Sequence, residues 1–152
     1  MKAAKQPRAV IDTNIIVSGL ISPRSFSAQV FSAWENNLFT WVLSAEILAE
    51  IKDVLERDSI KKTYHIQQEQ IASLLSSLMI ACEHVIPSSE DLLPIHSRDP
   101  KDDKFLACVF FGTCDYLVSA DPDLLVLNKE PQLASLQILP AEQFLQTLST
   151  TA

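Results

Sequence analysis

The chain has 152 residues, 47% of them apolar and 20% charged, with 12 basic against 19 acidic side chains and a formal net charge of −7. That size fits one domain over residues 1–152 with a single good core, and the apolar content excludes disorder. The longest uncharged apolar stretch, around Ile15 to Ile21, is far short of the roughly 20 residues of a membrane span, and the two glycines, Gly19 and Gly112, allow neither a dinucleotide fingerprint nor a P-loop.

The N-terminus is basic but carries no apolar segment and no small-residue cleavage site, so no export signal is expected. Ala9-Val10-Ile11 reads as a short buried strand ending at Asp12. A turn, Asp12-Thr13-Asn14, leads into an apolar helical segment that breaks near Ser22-Pro23. A helix is predicted from about Ser27 to Asn36, with Val30, Phe31 and Trp34 on one face. Phe39 to Leu43 reads as the second strand, and Ser44 as the N-cap of a helix over 45–57, where Ile47, Ile51, Val54 and Leu55 give the 3.6 period. Gln67 to Cys82 is another amphipathic helix.

Val85-Ile86 is a weak third strand closed by Pro87, and 88–102 is the longest predicted loop. Asp103 to Gly112 is apolar almost all round and is expected to be a central buried helix. Tyr116 to Ser119 is the fourth strand, followed by a short helix opened by Asp121-Pro122-Asp123. Leu136 to Leu139 is the fifth strand, and Pro140 stands at N1 of a terminal helix. Short apolar strands alternating with helices predict an α/β fold with a five-stranded parallel sheet covered on both faces.

Cys82, Cys108 and Cys114 cannot form a disulfide framework and show no Cys-x-x-Cys, and His65, His84 and His96 are scattered. The thiols therefore read as small buried apolar groups suited to a reducing cytoplasm, and a structural zinc site is not expected. The acidic net charge argues against broad electrostatic affinity for nucleic acid, unless the surplus acids gather around cations.

Right-handed crossovers put every strand C-terminus on one edge of such a sheet, where ligands bind. Asp12 ends the first strand at that edge, and Asp121 follows the fourth. Asp103 opens the antiparallel helix before the fourth strand, so it starts at the same edge, and Glu50 lies early in the helix after the second. Carboxylates about 4 Å apart repel by roughly 4 kcal/mol at an effective dielectric near 20, so a converged set needs protons or cations. An all-oxygen set suits Mg²⁺ or Mn²⁺, and such ions support metal-dependent hydrolysis of a phosphodiester.

The segments Val-Ile-Asp12-Thr13-Asn14, Leu-Ser-Ala-Glu-Ile-Leu-Ala-Glu50-Ile, Asp99-Pro-Lys-Asp-Asp103-Lys-Phe-Leu-Ala and Leu-Val-Ser119-Ala-Asp121-Pro-Asp123-Leu-Leu resemble, in order and spacing, the four motifs of the PIN domain family. The resemblance covers about residues 8–145, with Ala120 standing where a glycine or polar residue is common. It implies a three-layer α/β/α sandwich, Mg²⁺ or Mn²⁺, and cleavage of single-stranded RNA. It makes Asp12, Glu50, Asp103 and Asp121 the metal-site acids, Asn14 and Ser119 polar supports, and Asp99 and Asp123 auxiliary acids. Many small bacterial members are toxins neutralised by an antitoxin protein. An antitoxin partner and a homodimer are accordingly expected here, the latter also because Phe26, Phe39 and Trp41 look more than one small core absorbs.

Each residue also has a purely structural use. Asp12-Thr13-Asn14 suits a strand-to-helix turn, and Glu50 suits a solvated helix face paired with Lys52 or Arg57. Asp102 or Asp103, and Asp121 or Asp123, suit helix caps. Trp34 and Trp41 read as core or interface, and Lys61-Lys62 as a solvated helix end. Two other functions share the fold class: a phosphoacceptor signalling domain, for which no convincing acceptor Asp and Lys pair is present, and a catalytically inactive PIN-like interaction module.

Overall fold

The structure, a computed structural model, describes residues 6–133 and 135–151. Residues 1–5, which carry most of the basic N-terminal stretch, lie outside the described residues. The first strand, β1 (Arg8–Ile11), leads into α1 (Thr13–Ile21) and α2 (Phe26–Glu35). Strand β2 (Thr40–Ser44) is followed by α3 (Ala45–Leu55), α4 (Asp58–Tyr64) and α5 (Gln68–Ala81), then by β3 (Glu83–Val85). After two single-turn 3₁₀ helices come α6 (Asp103–Phe111), β4 (Tyr116–Val118), α7 (Pro122–Leu125), β5 (Gln137–Leu139) and α8 (Ala141–Thr151).

All strand pairs are parallel, in the order β3-β2-β1-β4-β5. The chain steps outward from β1 to β2 and β3, crosses back, and continues from β4 to β5 on the other side of β1. Right-handed crossovers therefore place α1 to α5 on one face and α6 and α7 on the other. The terminal helix α8 packs on α2, which returns it to the first face. The order reverses between β1 and β4, so the crevice for a ligand opens at the C-terminal ends of those two strands.

The core on the first face is aromatic. Trp41 meets Trp34 edge-on at 5.0 Å and Phe31 at 5.8 Å, and Phe39 meets Phe144 at 5.1 Å. Trp41 and Phe39 are thus fully enclosed, contrary to the expectation that they exceed one core; of the three residues named for that reason only Phe26 is exposed. On the other face, α6 buries Phe105 through Val109 in succession.

Ser44 caps α3 as expected, accepting from the Ile47 N–H at 3.3 Å. The cap of α2 is Ser25, two residues before the predicted start, because its hydroxyl accepts from the Ala28 N–H at 3.1 Å. The third strand starts two residues earlier than predicted and ends one earlier, leaving Ile86 beyond its end and 93% exposed. Pro140 precedes α8 rather than opening it, and its carbonyl accepts from the Phe144 N–H at 3.0 Å. The predicted 88–102 loop contains two 3₁₀ turns, Glu90–Leu92 and Pro100–Asp102, the second of which sets the entry to α6.

Candidate active site

The β1–β4 pair continues one residue past its strands, where the Asp12 N–H donates to the Val118 carbonyl at 2.9 Å. Asp12 occupies the N-cap position of α1 but makes no side-chain cap bond to it. Its Oδ2 instead accepts from the Ser119 hydroxyl at 2.6 Å, and the same Ser119 Oγ accepts from the Asp121 N–H at 3.0 Å. Ser119, fully buried, thereby brackets the two acids that follow β1 and β4. Burial pushes the Asp12 carboxyl above the usual range, opposed by the Ser119 hydroxyl and the Asn14 backbone and reinforced by the charges of Asp121 and Glu50.

Asp121 also caps α7, accepting from the Asp123 N–H at 2.9 Å. Asp99 caps the 3₁₀ turn before α6 by accepting from the Lys101 N–H at 3.0 Å. The capping use expected of Asp121 is therefore present, and Asp99, expected as an auxiliary acid, caps a turn as well. Asp123 pairs with Arg98 at 2.8 Å at the rim.

At the start of α6 two neighbouring acids have different partners. Asp103, expected at the crevice with Asp12 and Asp121, is held by the loop before the helix. Its Oδ1 accepts from the Ser97 N–H at 2.7 Å, and its Oδ2 meets His96 Nδ1 at 2.8 Å, so it ties the 96–97 loop to the helix. The acid brought to Asp121 and Asp12 is Asp102, which sits at the N-cap position without capping, its Oδ2 buried and without a hydrogen-bond partner. Burial first, then the charge of Asp121 and a proton shared with it, then Asp12 and Asp99, push the Asp102 carboxyl up to about 7. Oxygens of Asp99, Asp102 and Asp123 lie within 4.8 Å of one another. One helical residue is a turn of about 100°, which is why adjacent acids face different partners.

Glu50 does reach the edge, and it pairs with neither Lys52 nor Arg57. Its Oε1 takes the Lys104 ammonium at 2.9 Å, and its Oε2 accepts from the Thr13 hydroxyl. Arg57, just beyond the end of α3, pairs instead with Asp53 in that helix. Asn14 is exposed on the first turn of α1, and its backbone bonds the Asp12 carboxyl. Asp102, Thr13 and Lys104 are the residues that sequence reasoning missed, although the tandem acids Asp102-Asp103 mark the place where the first choice arose.

The crevice thus brings together oxygens of Asp99, Asp102 and Asp123, with Asp12 and Asp121 acting electrostatically on Asp102 and Glu50 acting on Asp12. A buried carboxylate oxygen with no donor, on a carboxyl surrounded by other acids, is satisfied by a proton or by a cation. The donors are all oxygen, a set that fits a hard divalent ion and offers nothing to a soft one.

A parallel five-stranded sheet with a carboxylate cluster at its switch point defines an acid-centred α/β protein. The family model of the PIN domain matches residues 8–123. The chain belongs to the PIN domain family, a nuclease fold. A solved structure similar to it is the PIN domain of RRP44 from T. brucei, with a TM-score of 0.47 and 16% identity over 97% of this chain and 83% of that one. No curated protein matches the chain.

Proposed function

We propose that the protein is a Mg²⁺- or Mn²⁺-dependent endoribonuclease acting on single-stranded RNA, with Asp12, Glu50, Asp102 and Asp121 as its central acids. The observation that carries this reading is Asp102 at the head of α6, whose Oδ2 is buried without a hydrogen-bond partner and whose carboxyl is pushed up by burial and then by its neighbours Asp121, Asp12 and Asp99. Asp99, Asp102 and Asp123, whose oxygens converge, would hold the ion, with Asp12 and Asp121 beside them. When bound, such an ion would polarise a phosphate and lower the pKa of water, supplying hydroxide as the nucleophile.

The chain's own residues do the positioning. Ser119 holds Asp12 by its Oδ2. The N-terminal bonds of α7 hold Asp121 in the same way. Thr13 and Lys104 hold Glu50 from two sides. An anionic strand approaching a cluster this acidic needs the cation for attraction as well as for chemistry, which accords with a net charge of −7.

The same reading extends to a cytoplasmic toxin restrained by an antitoxin protein, in a homodimeric state. Half-exposed Phe26 and the exposed Met79, Ile80 and Ile86 supply apolar surface for such contacts. Burial pushes the thiols of Cys82, Cys108 and Cys114 up to about 12, so they are inert packing groups in keeping with a reducing compartment.

The test is cleavage of an end-labelled single-stranded RNA with Mn²⁺, with Mg²⁺ and with chelator, using wild type and Asp12→Asn. Internal cuts that need a divalent ion and vanish in the variant are expected. Cutting that persists in chelator, or in Asp12→Asn, overturns the proposal.

A further inference from the structure

Lys104 is two residues along the chain from Asp102, yet it serves a different carboxylate. Its side chain is only 10% exposed, and its ammonium pairs with Glu50 Oε1 at 2.9 Å while donating to the Lys101 carbonyl. The same ammonium lies 5.4 Å from the centre of the Phe105 ring. An ammonium so enclosed persists only because it is paired. It faces Glu50 from α3 and also acts on Glu90, opposing the repulsion that Glu46 and Asp103 exert there. Glu50 in turn acts on Asp12, so Lys104 is electrically one step from the acids of the crevice.

We propose that Lys104 is a resident counter-cation and positioning residue, which holds Glu50 against Thr13 and sets how tightly the acidic crevice takes a divalent ion. This rests on reading the crevice as a divalent-ion nuclease centre. Each Glu50 oxygen already has one partner, so Glu50 enters the site oriented and half-neutralised, unlike Asp102. Removing the ammonium leaves Glu50 negative and unrestrained: the crevice gains attraction for the ion, while the reaction loses a placed carboxylate.

The experiment titrates Mn²⁺ by electron paramagnetic resonance into the full chain at pH 7.5, and measures turnover at saturating Mn²⁺ on the same samples. Lys104→Met is expected to bind Mn²⁺ at least about fivefold tighter and to turn over at least about tenfold more slowly, as a unit charge removed at short range requires. Lys104→Arg, which keeps the charge, should bind within about twofold of wild type. Glu50→Gln should bind more weakly, and Glu50→Gln with Lys104→Met, which restores the charge balance, should return towards wild type. That double variant removes both partners of the pair, so it keeps the test open if Lys104→Met alone does not fold: a double variant no tighter than Glu50→Gln overturns the inference. Unchanged or weaker affinity in folded Lys104→Met overturns it as well. A wild type that takes no Mn²⁺ overturns the nuclease-centre reading itself, and the role of Lys104 with it.

Discussion

The Ser119 hydroxyl donates to Asp12 Oδ2 at 2.6 Å and joins the ends of β1 and β4 across the switch point of the sheet. Both residues are buried, so the bond is what keeps an ionised Asp12 tolerable there. Ser119→Ala should destabilise the protein by about 2 kcal/mol near pH 8, the scale of a hydrogen bond to a charged group. Asp12 already titrates above its ordinary value, and losing this bond raises it further. The loss should therefore be largest above the folded-state pKa, where Asp12 is charged, and shrink as pH falls and the carboxyl takes a proton. Thermal melts of both proteins at pH 5 and pH 8 check this, and a loss independent of pH contradicts it.

At the far edge of the sheet, Asn128 caps β5. Its Nδ2 donates to the Ile138 carbonyl at 2.7 Å, and its Oδ1 accepts from the Ile138 N–H at 2.9 Å. A side-chain amide thus occupies the outward hydrogen-bonding pair of an edge strand, a place where further strands otherwise add. Asn128→Ala should lower stability by about 2 kcal/mol and increase self-association on warming. Melting followed by light scattering measures both; an unchanged melting temperature would show that water replaces the amide at no cost.

The layers of the fold were legible because β1, β2 and the buried α6 write their burial directly as apolar runs. Helix α4 was not: none of its residues is buried, so Asp58–Tyr64 leaves no periodic trace. The placement of Phe39 and Trp41 was not legible either, since an aromatic residue looks the same in sequence whether it stacks within one core or between two chains. In the crevice, Asp12, Ser119 and Asp121 follow from their positions at strand ends. The choice between Asp102 and Asp103 depends on helix phase, which the 3₁₀ turn at Pro100–Asp102 sets and which no spacing rule supplies.

Glu46 and Glu50 stand one turn apart on α3 and separate structure from chemistry. Glu46 is a first-turn acid lining a groove with Ile86 and Glu90, away from the crevice. Glu46→Gln should keep full nuclease activity. Glu50→Gln should lose most of it, and should also lose about 2 kcal/mol of stability, because Lys104 is left without its partner. Activity is to be compared well below both melting temperatures. A dead Glu46→Gln beside an active Glu50→Gln would reverse the assignment on this helix.

The most direct test of the crevice is the contrast between Asp102→Asn and Asp103→Asn, the same chemical change one residue apart. The Asp102 carboxyl titrates near 7 in the folded chain against about 3.9 when unfolded, so between those values the native state binds more protons than the unfolded one. Stability linked to Asp102 is therefore fully present below about pH 4, is lost as pH rises towards 7, and stays lost above. Asp102→Asn removes that ionisation, so at pH 8 without divalent ions it should melt higher than wild type and show a flatter decline from pH 4 to 7. Asp103 has fixed donors instead: it is buried, accepts from the Ser97 N–H and meets His96. Asp103→Asn should melt lower, by an amount corresponding to about 2 kcal/mol, as a charged acceptor is lost. Mn²⁺ should raise the melting temperature of wild type, by about 2.7 kcal/mol of stability at a hundred times its dissociation constant. It should do the same for Asp103→Asn while leaving Asp102→Asn nearly unmoved. Melts of the three proteins with chelator and with Mn²⁺ decide the matter: if Asp102→Asn is destabilising and Asp103→Asn abolishes the Mn²⁺ response, the crevice acid is Asp103 and the helix turns on binding.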